Sequence, residues 1–428
     1  MEILNFIITD IFGNASIFLA LIAAVGLIAQ RKTIVEVLQG SAKTAIGVVV
    51  LSQGNSIIIS AILGLSAAFS ALNPTTASAV TEIGSDAFSA MFGTQIGVVM
   101  VIAFVINILV ARFTKWKTIF LTGHMLYWFP FVFLAAGYDA GLRDTKLIIL
   151  AVVFTALYMI IMPNLLQPFV RKVTGSDSFA IGHPTAGLSI ISGFLGQWFG
   201  DKSKSTESLN FPKGLGFLKE ISITGGIVVA LTYVVMTVLM YINGIDGAAV
   251  YGLASASKLF SHILLMGFTF GAGLTVLLLG VRMVIAEIVP AFKGFSDKIV
   301  PGAIPALDCP MLFAYAPNAL VIGFVTAMIT SVITIIITSS MAIFPTIVLP
   351  LTITCFFELG TAAIIGNSTG GVKGAVIGSA VGGVIMVFLV GFGANFFMNT
   401  INQWMLVFGG QDFSIWGMLA GFFARLFV

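Results

Sequence analysis

The chain has 428 residues, of which 58% belong to the apolar set AVILMFWYC and only 9% are charged, with a formal net charge of +3. A soluble domain carries about a quarter charged residues, so lipid must be the solvent for much of this chain, and a soluble globular protein is excluded. The small net charge is no nucleic-acid signal.

Backbone polar groups have no partners in hydrocarbon, so each membrane span must be a helix or part of a closed barrel. Stretches such as Gly97–Ala111 (GVVMVIAFVINILVA) are apolar on every face. Barrel strands would alternate in character, so these read as helices. In chain order, hydropathy predicts spans over 11–30, 44–65, 95–111, 118–136 and 147–163. Six more follow over 222–242, 260–281, 318–340, 343–357, 371–393 and 409–427. The N-terminus carries Glu2 and Asp10 and lacks the basic region of a cleaved signal peptide, so the first helix is expected to be retained. Cys309 and Cys355 are the only cysteines, and their separation matches neither a metal motif nor a framework disulfide.

Lysine and arginine set the expected orientation. The loop after the first span holds Arg31, Lys32 and Lys43, the loop over 66–94 holds none, and the next holds Arg112, Lys115 and Lys117. This alternation places the N-terminus outside and the first loop in the cytoplasm. Basic residues then flank both ends of the apolar stretch 180–200: Arg171 and Lys172 before it, and Lys202, Lys204, Lys213 and Lys219 after it. A re-entrant hairpin returning to the same side satisfies that pattern; a cytoplasmic amphipathic segment is the alternative. Two further irregular stretches are Pro301–Pro310, with three prolines that a continuous helix cannot hold, and the glycine-rich Glu358–Gly371. Broken helices of this kind are where secondary transporters build substrate sites. The echo between RKTIVE (Arg31–Glu36) and RMVIAE (Arg282–Glu287) is equally well explained by interfacial amphipathic helices.

Ionisable groups within these segments are the functional candidates, since a charge at a helix centre costs roughly 2.5 kcal/mol or more. Two of the three histidines follow a glycine in similar triplets, Thr122-Gly123-His124 and Ile181-Gly182-His183. A neutral imidazole offers one donor and one acceptor to a polyhydroxy ligand; each could equally bond a backbone carbonyl and fix packing. His262, beside a loop, reads as structural. Asp308 lies in the proline-broken stretch with no Lys or Arg between Lys298 and Lys373. It suits ligand hydroxyls, or the cap of a half-helix. Glu358 is a weaker candidate of the same type. No phosphate loop, HExxH, CxxC or nucleophile elbow is present, so no catalytic, metal or cofactor site is expected.

The strings KTIFLTGHM, FAIGHP, GVRMVIAEIVPAFKGFSDKIVPGAIPALDC and FAYAPNALVIGF together resemble the L-ascorbate (SgaT/UlaA) family of phosphotransferase-system enzyme IIC proteins. The resemblance runs from the first span to the last. It implies an all-α polytopic protein with about eleven spans of membrane length, re-entrant hairpins, a V-shaped dimerisation domain and a core transport domain. It implies a homodimer in the bacterial inner membrane, with residues 1–428 as a single IIC domain of approximate halves 1–220 and 221–428, and no fused IIA or IIB. The expected partners are lipid, a sugar substrate and a cytoplasmic IIB protein, whose cysteine phosphorylates the sugar and is itself charged through IIA and HPr from phosphoenolpyruvate; nucleic acid is not expected. Ligand contacts carry over onto His124, Met125 and Trp128, onto His183 and Pro184, and onto Asp308, with a looser match near Thr75–Glu82. The chain departs from the family where glutamines follow each Gly-His pair: it has Tyr127 and Trp128, and Pro184 and Thr185. His124, His183 and Asp308 are therefore expected to hydrogen-bond the ligand, with Trp128 as a stacking wall, and the substrate to be L-ascorbate or a related polyhydroxy compound. The rival readings are an ion-coupled secondary transporter using Asp308 or Glu358 as a proton site, and a membrane enzyme.

Overall fold

The computed structural model describes residues 11, 14–72, 82–209, 220–345, 348 and 351–428, without the side chains of 66, 70 and 221. The expected contact over residues 75–81, and the basic residues Lys213 and Lys219, lie outside the described residues.

The fold is mostly helical. Among the described residues, seven helices are long and apolar enough to cross a membrane. The chain opens with α1 (Ala15–Ala29), α2 (Ile34–Leu72) and α3 (Ser85–Phe113). Next come β1 (Thr118–Phe120), α4 (Gly123–Asp139), α5 (Asp144–Thr174), β2 (Ala180–Ile181) and α6 (Ala186–Phe199). The second half holds α7 (Ile221–Ile242), α8 (Leu259–Lys298), β3 (Ile304–Leu307) and α9 (Pro317–Ser340). It ends with α10 (Gly360–Phe396), α11 (Asn402–Phe408) and α12 (Asp412–Ala424).

The strands correct the all-helical expectation. They form one parallel sheet in the order β1-β3-β2. The predicted span 118–136 therefore begins as a strand, and its helix starts only at Gly123. Pro305 lies in the central strand without loss. The Ile304 N–H faces β1, donating to the Lys117 carbonyl, so position 305 faces the other way, where β2 pairs only from Ala306 onward. Proline is tolerated where no ladder bond is due.

Open sheet edges are costly away from water, and two helical amides bond this sheet at its margins. Asn107 of α3 donates to the Thr118 carbonyl (3.1 Å) and accepts from the Phe120 N–H (2.8 Å), imitating a neighbouring strand. On the far edge, Gln167 of α5 donates to the Phe179 carbonyl (3.3 Å).

The predicted span 343–357 is also corrected. Met341–Phe344 is not helical; the helix begins at Thr352, passes through a π-helical turn at Cys355–Leu359 and continues as α10. That helix then reverses. Residues eight apart in a straight helix are about 12 Å apart, yet a side chain at Gly366 would strike the Gly374 carbonyl. The Ser379 hydroxyl reaches the Leu359 carbonyl at 3.3 Å across twenty positions. The turn is at Gly370–Gly371, where Gly371 has φ +59°. Helix α6, at 14 residues too short to cross, lies along this hairpin, with Ser192 donating to the Ala362 carbonyl at 2.6 Å.

Two packing groups result, each drawing on both halves of the chain. Helices α1, α2, α7 and α8 form one; α3–α6, the sheet and α9–α12 form the other. In the first, small residues bring backbones together: side chains at Gly54 and Gly280 would overlap the backbones of Leu277 and Leu51.

Asn107→Leu leaves two buried backbone groups of β1 without partners, at about 1–3 kcal/mol each; thermal unfolding in detergent should show a large loss. Gly371→Ala should destabilise by about 1–3 kcal/mol from backbone conformation alone, whereas Gly93→Ala, in open space, should be neutral in the same measurement.

Candidate functional site

Because the strands are parallel, their carboxyl ends meet, and the residues that follow them are gathered from distant parts of the chain. Asp308 directly follows β3, His183 is the second residue after β2, and His124 the fourth after β1. Ligand sites outside the carboxyl ends of parallel strands are a general property of such sheets. Here the crevice is a cavity of about 440 Å³, within the range of small-molecule sites.

The three ionisable side chains converge. His124 Nε2 lies 3.7 Å from Asp308 Oδ2, and His183 Nε2 lies 3.6 Å from Asp308 Oδ1. These gaps are longer than direct hydrogen bonds. Asp308 Oδ1 also accepts the Cys309 N–H at 2.7 Å, so the capping role and the cavity position coexist in one carboxylate. Exposure falls inward: the His124 side chain is 46% exposed, Asp308 19% and His183 6%.

Met125, Trp128 and Glu358 also line the cavity, whereas Pro184 does not. The Pro184 carbonyl instead accepts the Asp412 N–H at 3.1 Å. The Trp128 ring packs against Trp404, centroids 5.2 Å apart. His262 is elsewhere, between Tyr233 and Tyr251. Cys309 and Cys355 are buried free thiols. No lysine or arginine is among the described residues that line the cavity.

His124, His183 and Asp308 form a conceivable metal-ligand set, with donor atoms within 4.8 Å of one another. A zinc with bonds of about 2.0–2.1 Å needs donors about 3.3 Å apart. The observed spacings of 3.6 and 3.7 Å are wider than that.

The His183 tip is held by a buried network. The Tyr158 hydroxyl sits 2.7 Å from Asp412 Oδ2 and 3.0 Å from the His183 carbonyl, with its single proton directed to this pair. Asp412 also accepts the Gly187 N–H at 3.0 Å, in the first turn of α6. Thr185 donates to the Glu358 carbonyl at 2.7 Å, tying the tip to the π-helical turn.

Sequence reasoning missed several of these residues. Ser52, Asn55 and Ser56 of α2 line the cavity, and their signal was a polar run, SQGNS, inside a predicted span. Asp412 was a lone carboxylate in an apolar stretch, which the rarity of intramembrane charge should have flagged. Trp404 gave no signal beyond its aromatic character.

Tyr158→Phe removes one hydrogen bond while keeping the packing, and should cost about 0.5–1.5 kcal/mol. Asp412→Ala leaves the Gly187 N–H in the first turn of α6 without its acceptor and leaves Tyr158 only the His183 carbonyl, and should cost more. Thermal unfolding of both variants in detergent checks this order.

The family profile described as "PTS system sugar-specific permease component" (EIIC-GAT) matches residues 10–414. The ascorbate-specific PTS system EIIC component of Mycoplasma pneumoniae is 24% identical over 462 aligned positions, which cover 96% of this chain and 70% of that one. With nearly its whole length matched, the chain belongs to the EIIC-GAT family of PTS sugar-specific permease components, and is a multi-pass membrane transport subunit.

Proposed function

We propose that the cavity at the strand ends binds L-ascorbate or a closely related polyhydroxy compound, and that His124, His183 and Asp308 are its hydrogen-bonding residues. The observation carrying this reading is the pair of 3.6–3.7 Å gaps between two imidazoles and one carboxylate. A ligand hydroxyl fits each gap, donating to the carboxylate and accepting from an imidazole N–H. Met125 and Trp128 supply an apolar and aromatic wall for the ring face. Pro184 acts through its carbonyl as part of the frame and not as a contact. The name of the Mycoplasma relative supports ascorbate as the first compound to test.

In this reading the two packing groups are a V-shaped dimerisation scaffold and a core, residues 1–428 form one transport domain, and the protein is a homodimer surrounded by lipid. The β2–α6 unit and the limb before Gly370 are re-entrant, which leaves about ten crossings, one fewer than the eleven expected, since the predicted span 343–357 belongs to that limb. Lysine and arginine distribution supports an outside N-terminus in the inner membrane. The core carries the sugar to the cytoplasmic face, where IIB, charged through IIA and HPr, transfers the phosphoryl group. The IIC chain itself does no phosphoryl chemistry. Family membership disfavours the ion-coupled alternative.

His183→Ala should reduce phosphoenolpyruvate-dependent ascorbate uptake at least a hundredfold and leave the oligomer unchanged on size exclusion. Normal uptake by that variant, or wild-type uptake that ignores IIB and collapses with a protonophore, would overturn the proposal.

A further inference from the structure

The triad at the strand ends accounts for one side of the cavity only. Among the described residues, twelve buried side-chain polar atoms have no hydrogen-bond partner within the protein. Five belong to residues lining this one cavity: Asn55 Oδ1, Thr122 Oγ1, His183 Nδ1, Glu358 Oε2 and Trp404 Nε1. A buried polar atom without a partner costs about 1–3 kcal/mol, so their gathering around one space marks it as built for a polar occupant.

Glu358 and Trp404 stand out within that group. Both are more than nine-tenths buried, at 5% and 8% exposed. Glu358 sits in the π-helical turn Cys355–Leu359, where an extra residue per turn redirects side chains; such turns recur at functional sites. Its backbone is fixed by the Thr185 hydroxyl, and no lysine, arginine or histidine lies within ion-pair distance of its carboxyl among the described residues. A carboxyl group there accepts a hydrogen bond from a hydroxyl in either protonation state. Trp404 is positioned by its contact with Trp128 and by the preceding Gln403 N–H, which donates to Glu82 at 3.0 Å. Its indole nitrogen can only donate.

We propose that Glu358 and Trp404 form a second pole of the ligand site and determine its specificity, Glu358 accepting from a ligand hydroxyl and the Trp404 N–H donating to a ligand oxygen. The ligand is then held at two ends, with its less polar face on Trp128. This favours polyhydroxy compounds with donors at both ends over those with hydroxyls clustered at one. The inference rests on the reading of the cavity as a sugar site.

The test is equilibrium binding of L-ascorbate and of 6-deoxy-L-ascorbate to the purified full chain. Wild type is compared with Glu358→Gln, Glu358→Ala, Trp404→Phe and Gly93→Ala, each checked by thermal unfolding. Expected are a rise in Kd of about tenfold for Trp404→Phe and for Glu358→Gln, and of more than tenfold for Glu358→Ala, with unfolding temperatures near wild type. With the 6-hydroxyl of L-ascorbate assigned as the donor to Glu358, the deoxy compound should bind wild type more weakly than ascorbate, and that difference should vanish in Glu358→Ala, which a merely structural role would not produce. Unchanged affinity in Glu358→Ala and Trp404→Phe, or a deoxy penalty that persists in Glu358→Ala, would overturn the second pole. If wild type ignores ascorbate, the substrate reading is what fails, and the same variants are measured with whichever hexitol, pentitol or sugar acid binds; equal binding there overturns the second pole. Binding of none of these compounds overturns both.

Discussion

The site depends on a ladder of backbone hydrogen bonds with β3 at its centre. It joins three chain segments that are far apart in sequence, and its parallel sense puts their carboxyl ends side by side. A sheet this small would not persist alone in water. In lipid the opposite pressure operates, because an unpaired amide has nothing else to bond. Asn107 completes the β1 edge as a neighbouring strand would, and Gln167 bonds the Phe179 carbonyl just before β2.

From that ladder outward, Asp308 and His183 are held by backbone geometry and not by side-chain packing alone. Asp308 is turned by the amide that follows it. His183 is fixed through its carbonyl by Tyr158, and Asp412 joins that tyrosine to the first turn of α6. Asp308 and the backbone at His183 are thus preorganised, and in the proposed reading the energy of ligand binding would not be spent on ordering them.

Much of this was legible in the sequence, for physical reasons that differ by element. Transmembrane helices announce themselves by hydropathy, and intramembrane ionisable groups stand out because they are rare; His124, His183 and Asp308 were visible on that ground alone. The strands were not visible. Segments of two to four residues are too short for alternation to register, and Thr118–Phe120 is buried throughout, so it reads as the start of a helix. The reversal at Gly370–Gly371 was flagged as a glycine-rich irregularity, but its sense is set by two dihedral pairs that no hydropathy window reports. Trp404 was hidden in a chain with 38 phenylalanines and five tryptophans, where one more aromatic residue carries no distinguishing signal.

The glycine contacts between α2 and α8 have a mechanical consequence. Where backbones touch at Gly54 and Gly280 there is no layer of deformable side chains between them, and with α1 seated against both helices the three behave as one stiff body. The cavity lies between the two packing groups: Ser52, Asn55 and Ser56 are on one bank, His183 and Asp308 on the other. If the proposed scaffold and core move against each other, an occupant touching both banks would act as a clasp across a slip plane, altering the resistance to sliding as well as filling the space.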